Sequence, residues 1–205
     1  MIVTVEGIDG AGKNTLVERL TAPLGARRLS FPRYEQSIHA QLAQEALHGR
    51  MGDLTDSAYA MATLFALDRH GARDLLEAYV GSPEVLVLDR YVASNAAYTW
   101  ARTGDQAAAD WVAELEFSRL GLPEPDLQIL LATDPVEARR RARGREQADA
   151  TRARDAYERD AGLQERTFAA YQALAQRSWH SPWLVTADAN EALATMRTTL
   201  FSPSE

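Results

Sequence analysis

The chain has no cysteine, and of its 22 basic residues only Lys13 is lysine, all the others being arginine. The first absence excludes disulfides, thiolate catalysis and thiolate zinc sites. The second excludes a Schiff-base lysine anywhere but position 13, a protein-kinase lysine standing apart from its glycine loop, and the Asn-Lys-x-Asp guanine reader of GTPases. The four histidines, His39, His48, His70 and His180, lack the spacing of metal ligands and read as surface or packing residues. No apolar run approaches the roughly eighteen residues of a membrane helix. The opening Met1-Ile2-Val3-Thr4-Val5 shows no basic leader with a cleavage site. The expectation is a cytoplasmic protein with no membrane partner.

What remains is ample for a core. With 205 residues, 46% of them hydrophobic, the chain suits a single domain over 1–205. Its arginine excess reads as compositional bias, which makes the surviving lysine informative. A net charge of −7 argues against a nucleic-acid partner, because a phosphate backbone is met by a basic face. Locally the sign reverses: Arg139 to Arg154 holds seven arginines against Glu146 and Asp149.

The order of patterns is strand, loop, helix, repeated. Residues 2 to 5 are apolar and β-branched, and glycines then precede a helix-forming stretch, Leu16 to Leu20. A second strand fits Arg28 to Phe31. Helices follow at about 36–48 and 54–80. Val85 to Leu88 is a continuous apolar run ending at Asp89, the mark of a strand covered on both faces. Helices fill about 91–120, Leu127 to Ala132 is another strand, and an arginine-rich helix begins near Pro135. A polar break at 146–153 precedes a helix to about 178, a last strand at Trp183 to Thr186, and a C-terminal helix. This alternation predicts an α/β fold, helices flanking a parallel sheet, with ligands beyond the carboxyl ends of the strands.

Gly7-Ile8-Asp9-Gly10-Ala11-Gly12-Lys13 is Gly-x-x-x-x-Gly-Lys between a strand and a helix, the context in which that motif forms a phosphate loop. Glycines let successive N–H groups turn into one concavity, the helix N-terminus adds its dipole, and the lysine supplies a compact charge. Gly7, Gly10, Ala11, Gly12 and Lys13 are thus candidates for binding a nucleoside triphosphate. The next residue, ordinarily a Mg²⁺-binding Ser or Thr, is Asn14, followed by Thr15. Either carboxylates take more of the metal or Thr15 supports it; Asp9 is the candidate carboxylate, with turn formation before Gly10 as its plainer reading.

Three clusters suggest a second substrate. Tyr91, Ser94, Asn95 and Tyr98 share one helical face after Asp89-Arg90, and that face is hydroxyls, an amide and rings, as a cleft lining would be, with two tyrosines merely covering the core as the alternative. Phe65 and Arg69 stand i and i+4, able to stack on a base and bond its edge, with a core Phe and a surface Arg as the commoner reading of such a pair, while Phe31-Pro32-Arg33-Tyr34 sits at the same rim. Arg141, Arg145 and Arg152, followed by Asp155, Tyr157 and Glu158, read as a lid over about 141–154 that brings positive charge to a transferred phosphoryl group. A solvated basic helix is the alternative.

With these residues the chain resembles thymidylate kinases, close to the actinobacterial members. The carriers are the loop 7–13, Phe31-Pro32-Arg33-Tyr34, Phe65-Ala66-Leu67-Asp68-Arg69, Asp89-Arg90-Tyr91-Val92-Ala93-Ser94-Asn95 with Tyr98, and Arg154-Asp155-Ala156-Tyr157-Glu158-Arg159-Asp160. The resemblance implies a P-loop NTPase three-layer α/β/α fold of the nucleoside monophosphate kinase type, with a five-stranded parallel sheet. It implies transfer of the ATP γ-phosphoryl to dTMP, with Mg²⁺, in dTTP synthesis. Phe65 would stack on thymine, Arg69 would bond its O4, and Asn95 would contact its polar edge. Tyr98 would sit under the deoxyribose. Arg90, with Tyr34 and Phe31, would hold the acceptor phosphate, and Ser94, Asp155 and Tyr157 would belong to the same dTMP site. Asp9 and Glu158 would bind or orient the metal. Lys13, Arg145 and Arg152 would stabilise the transferring charge, Arg141 would stack on adenine, and Asn14 and Thr15 would lie on the ATP side. Relatives without arginine at the position of Gly10 take it from the lid, and this chain fits that class. Relatives are commonly homodimers; the face around Trp111, Leu115 and Phe117 would serve as interface or equally as core. The competing functions are a kinase for another pyrimidine nucleotide or a deoxynucleoside, and a P-loop ATPase switch.

Overall fold

Five short segments form one sheet: β1 (Ile2–Glu6), β2 (Arg27–Ser30), β3 (Leu86–Asp89), β4 (Leu127–Leu131) and β5 (Trp183–Thr186). The structure, a computed structural model, describes residues 1–148 and 155–201, without the side chains of 143, 145–148 and 199–201. The strand order is β2-β3-β1-β4-β5 and every pairing is parallel. Every residue of β1 and β4 is buried, because helices cover both faces. Val5 pairs with Asp89 on one side and Ile129 on the other, so β1 and β3 end side by side at the centre of the carboxyl edge.

The helices are α1 (Lys13–Leu24), α2 (Ile38–Leu47), α3 (Ala58–His70), α4 (Arg73–Glu77), α5 (Val92–Thr103), α6 (Ala107–Ala113), α7 (Pro135–Ala148), α8 (Ala156–Arg159), α9 (Ala161–Gln176) and α10 (Ala189–Phe201). Two expected long helices are broken. The 54–80 stretch begins as a 3-10 turn at Leu54–Asp56. It restarts at Ser57, whose Oγ accepts from the Ala60 N–H at 3.1 Å. It is cut again at Gly71 before α4. Capping by a hydroxyl outcompetes continuation of the preceding turn. The 91–120 stretch ends first at Gly104, left-handed at φ 72, and α6 then runs into a π-type turn, Glu114–Arg119. The second strand sits one residue earlier than its pattern suggested, although the Phe31 N–H still bonds the Asp89 carbonyl at 3.0 Å.

The main core is built on the sheet, with Leu20, Leu86, Leu88, Ile129 and Leu174 fully buried. Phe117 packs against this core, its ring near those of Tyr91 and Trp179, which is the core reading of that residue. Trp111 meets the half-exposed Tyr59 edge-on at 4.8 Å. A satellite core of Ala43, Ala46, Leu47 and Met61, with Phe65 and Tyr157 against it, joins α2 to α3. Small alanines let those two helices approach and make the wall of a cleft beyond the sheet edge.

The loop after β1 is held from above by α7. A Cβ at Gly10 would lie 2.1 Å from the Ala138 carbonyl oxygen, and its φ is +84. Gly10→Ala is therefore expected to separate α7 from the loop at a cost of about 1–3 kcal/mol, read as a thermal midpoint lower by several degrees. An unchanged midpoint would mean that this contact does not hold the helix down.

Candidate active site

The carboxyl ends of β1 and β3 carry two acids and a guanidinium. Glu6, the last residue of β1, is fully buried. Its carboxylate accepts from the Tyr91 N–H at 2.8 Å, the Ser94 hydroxyl at 2.6 Å and the Tyr171 hydroxyl at 3.2 Å. Burial pushes its carboxyl above the ordinary range, opposed by those donors and by Arg90. Arg90 follows β3 with φ 67, a conformation that L side chains reach only under constraint. Its N–H is fixed on the Val5 carbonyl at 3.0 Å. Its guanidinium pairs with Asp9, donates to Ser94 Oγ at 3.2 Å and lies 5.5 Å over the Tyr98 ring.

Asp9 has both carboxylate oxygens engaged. Arg90 takes Oδ1, while the Tyr98 hydroxyl at 2.6 Å and the Gln164 amide at 3.1 Å donate to Oδ2. Burial alone would raise its pKa, but Arg90 and Lys13 hold it well below the carboxylate range. Gln164 also accepts the Asp9 backbone N–H at 3.1 Å, so α9 grips the loop twice. Lys13 donates to the Ile8 carbonyl at 2.9 Å. Burial and the nearby Arg90 lower its ammonium to about 8, against the pull of Asp9.

A cleft, half open to solvent, lies beside this cluster. Asp9, Phe31, Tyr34, Phe65, Arg69, Arg90, Ser94, Asn95, Tyr98, Asp155 and Tyr157 line it, whereas Tyr91, expected on the same cleft face, is instead fully buried in the core with its hydroxyl donating to the Pro123 carbonyl at 2.9 Å. At the end away from the loop, Arg69 is buried and donates Nε and Nη2 to Glu116 at 2.5 and 2.7 Å. Asn95 Nδ2 donates to Glu116 at 2.7 Å and to the Ala62 carbonyl at 2.9 Å. Tyr98 stacks on Tyr157, centroids 5.8 Å apart, and Arg102 donates to the Tyr157 hydroxyl at 2.5 Å. Arg33 Nε and N–H both bind Asp68 at 3.0 Å, tying the loop after β2 to α3.

The expected nucleotide and metal residues are placed less uniformly. Asn14 is exposed, and its amide is taken up by Glu18 at 2.9 Å and Arg28 at 2.5 Å; Thr15 is exposed. Arg141 pairs with Glu137 at 2.8 Å and reaches the Ala11 carbonyl at 3.4 Å. Glu158 closes a capping box with Asp155 at the start of α8. Arg152 lies outside the described residues, as does the side chain of Arg145. Among the described residues no three histidine or acidic side chains gather as a metal cage.

Glu6, Glu116, Gln164, Tyr171, Arg102 and Asp68 were missed from the sequence. The one signal for Glu6 is a carboxylate closing an otherwise apolar strand immediately before the glycine loop.

The family profile described as thymidylate kinase matches residues 5–198. The chain is 54% identical over 193 residues to the thymidylate kinase of Mycobacterium tuberculosis (strain CDC 1551 / Oshkosh), covering 90% of each. It is 30% identical over 151 residues to the probable thymidylate kinase of Pyrobaculum calidifontis, covering 73% and 72%. The solved thymidylate kinase of Candida albicans superposes with a TM-score of 0.74 at 20% identity, over 96% of this chain and 91% of that one, which shows a shared fold.

The raised pKa of Glu6 has a signed consequence. From its ordinary value of 4.5 upward to its folded value, the native state binds more protons than the unfolded one, so Glu6 makes stability fall as pH rises through that window. Glu6→Gln is expected to remove this decline: urea denaturation between pH 4.5 and 8 should show the variant gaining on the wild type as pH rises. Parallel curves would mean that Glu6 ionises normally.

Proposed function

The chain belongs to the thymidylate kinase family, and we propose that it transfers the γ-phosphoryl group of ATP to dTMP, giving dTDP and ADP, with its residues divided as follows. The observation that carries the reading is one cavity with a base end and a phosphate end. Phe65, Arg69 and Asn95 stand at the first, and Arg90 stands at the second beside the loop that holds Asp9 and Lys13.

At the base end, Phe65 offers a ring for stacking. Arg69 has spent Nε and Nη2 on Glu116, which leaves Nη1 to donate; Asn95 has spent both amide hydrogens, which leaves Oδ1 to accept. A donor beside an acceptor matches thymine O4 and N3–H. Tyr98, held by Asp9 and stacked on Tyr157, lies under the sugar. Arg90 holds the acceptor phosphate, with Tyr34, Phe31, Ser94 and Asp155 completing that wall.

ATP lies along the loop from Gly7 through Gly10, Ala11 and Gly12, whose backbone would cradle the phosphates once the Ala11 N–H turns from the Ile8 carbonyl. Asn14 and Thr15 follow at the helix start, and Arg141 serves the adenine side. An oxygen of the dTMP phosphate attacks the γ-phosphorus, the bond to the bridging oxygen breaks and ADP leaves. The dianionic acceptor needs no general base. Lys13 neutralises charge on the transferring group, and the lid arginines Arg145 and Arg152, on a segment at about 141–154, complete that work and exclude water.

Mg²⁺ rides on nucleotide phosphates with one or two carboxylates and keeps several waters, so the ionised Asp9, already held by Arg90, Tyr98 and Gln164, would orient it, directly or through its waters, with no protein cage needed; Glu158 is the second candidate. The metal would neutralise charge on the phosphates. We infer a homodimer from the family habit, with Trp111 and Leu115 as candidates for its interface.

The test is ADP release with ATP, Mg²⁺ and each of dTMP, dUMP, dCMP, dGMP and thymidine. Stimulation by dTMP well above the others is expected. Strongest stimulation by thymidine would favour the nucleoside reading, leaving Arg90 without a phosphate, and none by any acceptor would favour the switch.

Lys13 gives a second test. A triphosphate beside an ammonium lowered to about 8 must raise its pKa. ATP binding near pH 8 to 9 is therefore expected to take up protons, seen by calorimetry in two buffers of different ionisation enthalpy, with little uptake from Lys13 at pH 6. Equal heats in both buffers at pH 8 would place the ammonium elsewhere.

A further inference from the structure

Behind the base end of the cavity, and absent from its lining, lies a fully buried carboxylate. Glu116 comes from the π-type turn after α6, where the Leu120 N–H reaches the Leu115 carbonyl at 2.9 Å and the Leu122 N–H reaches the Glu116 carbonyl at 2.9 Å. Such widened turns place a side chain where a regular helix would not, and they recur at functional sites.

Its two oxygens have three partners. Oε2 accepts from Arg69 Nε at 2.5 Å, and Oε1 accepts from Arg69 Nη2 and Asn95 Nδ2, both at 2.7 Å. An arginine alone would be satisfied by the two-pronged pair. The third bond gives the carboxylate a further task, because the amide of Asn95 can present either its oxygen or its NH₂ to the cavity. An acceptor at Glu116, seconded by the Ala62 carbonyl at 2.9 Å, admits only the NH₂ inward.

We propose that Glu116 is a positioning residue for base selection: by holding Arg69 and Asn95 at once, it fixes a donor beside an acceptor at the cavity edge. The 4-oxo, N3–H edge of thymine is then accepted, and the reversed 4-amino, N3 edge of cytosine meets donor on donor and acceptor on acceptor. This rests on the dTMP reading above. The substrate supplies none of this polarity; a buried anion that never touches it does.

Glu116→Gln tests the idea without changing shape. A glutamine has one acceptor and one donor, so whichever way it is turned its NH₂ opposes a donor of Arg69, and in one orientation that of Asn95 as well. We expect the KM for dTMP to rise about tenfold or more, with the KM for ATP nearly unchanged. The readout specific to positioning is the ratio of the dTMP KM to the inhibition constant of dCMP. It does not depend on how much folded enzyme a preparation contains, and it should move toward dCMP by about tenfold. If dTMP and dCMP weaken by the same factor, Glu116 merely supports the fold and the proposal fails. Should the glutamine variant not fold, Glu116→Asp, which keeps the charge on a shorter stem, is judged by the same ratio; selectivity equal to wild type would overturn the proposal. A wild-type enzyme that dTMP does not stimulate would instead sink the reading on which it rests.

Discussion

The ion pair between Asp9 and Arg90 is the contact on which the site turns. Its members follow two adjacent parallel strands, so the sheet register that sets Val5 against Asp89 also sets the loop against the arginine. Each member is then secured from a further helix: Asp9 by Tyr98 of α5 and Gln164 of α9, Arg90 by Ser94 of α5. A partly buried ion pair adds little net stability by itself, because desolvation offsets most of the attraction. What it supplies here is placement. The nucleotide loop and the acceptor cavity share one electrostatic joint, and the left-handed backbone of Arg90 is held by the contacts around it.

Much of this was legible in the residues and some was not. The loop at 7–13 could be read because glycine and lysine spacing is a backbone property with few alternatives. The acceptor residues could be read because hydroxyls, rings and an amide on one helical face fit neither core nor solvent. Glu6, Glu116, Gln164 and Tyr171 could not, since each is an isolated polar residue whose partners come from distant segments. Glu116 in particular sits in Glu-Leu-Glu-Phe-Ser-Arg, which reads as an ordinary amphipathic turn, and only the π-type backbone explains why it points inward. The breaks at Ser57, Gly71 and Gly104 carried local signals, a capping hydroxyl and two glycines, that helical periodicity outweighed.

The same contrast runs through the charges. Most of the arginines can be satisfied at the surface, as Arg73 and Arg140 are by neighbouring glutamates on their own helices. Arg69, buried, and Arg90, partly buried, differ because each pairs with a carboxylate and keeps a face on the cavity. Lys13, in contrast, is buried in the loop with its ammonium on the Ile8 carbonyl, where a planar guanidinium would not fit as a compact point charge does.

The close approach of Ala138 to Gly10 also bears on how such an enzyme can change over time. With the helix carbonyl seated where a side chain would begin, position 10 cannot gain an arginine while α7 keeps its seat. Any side chain at position 10 has to displace α7 first, so the loop and the helix above it can change only together.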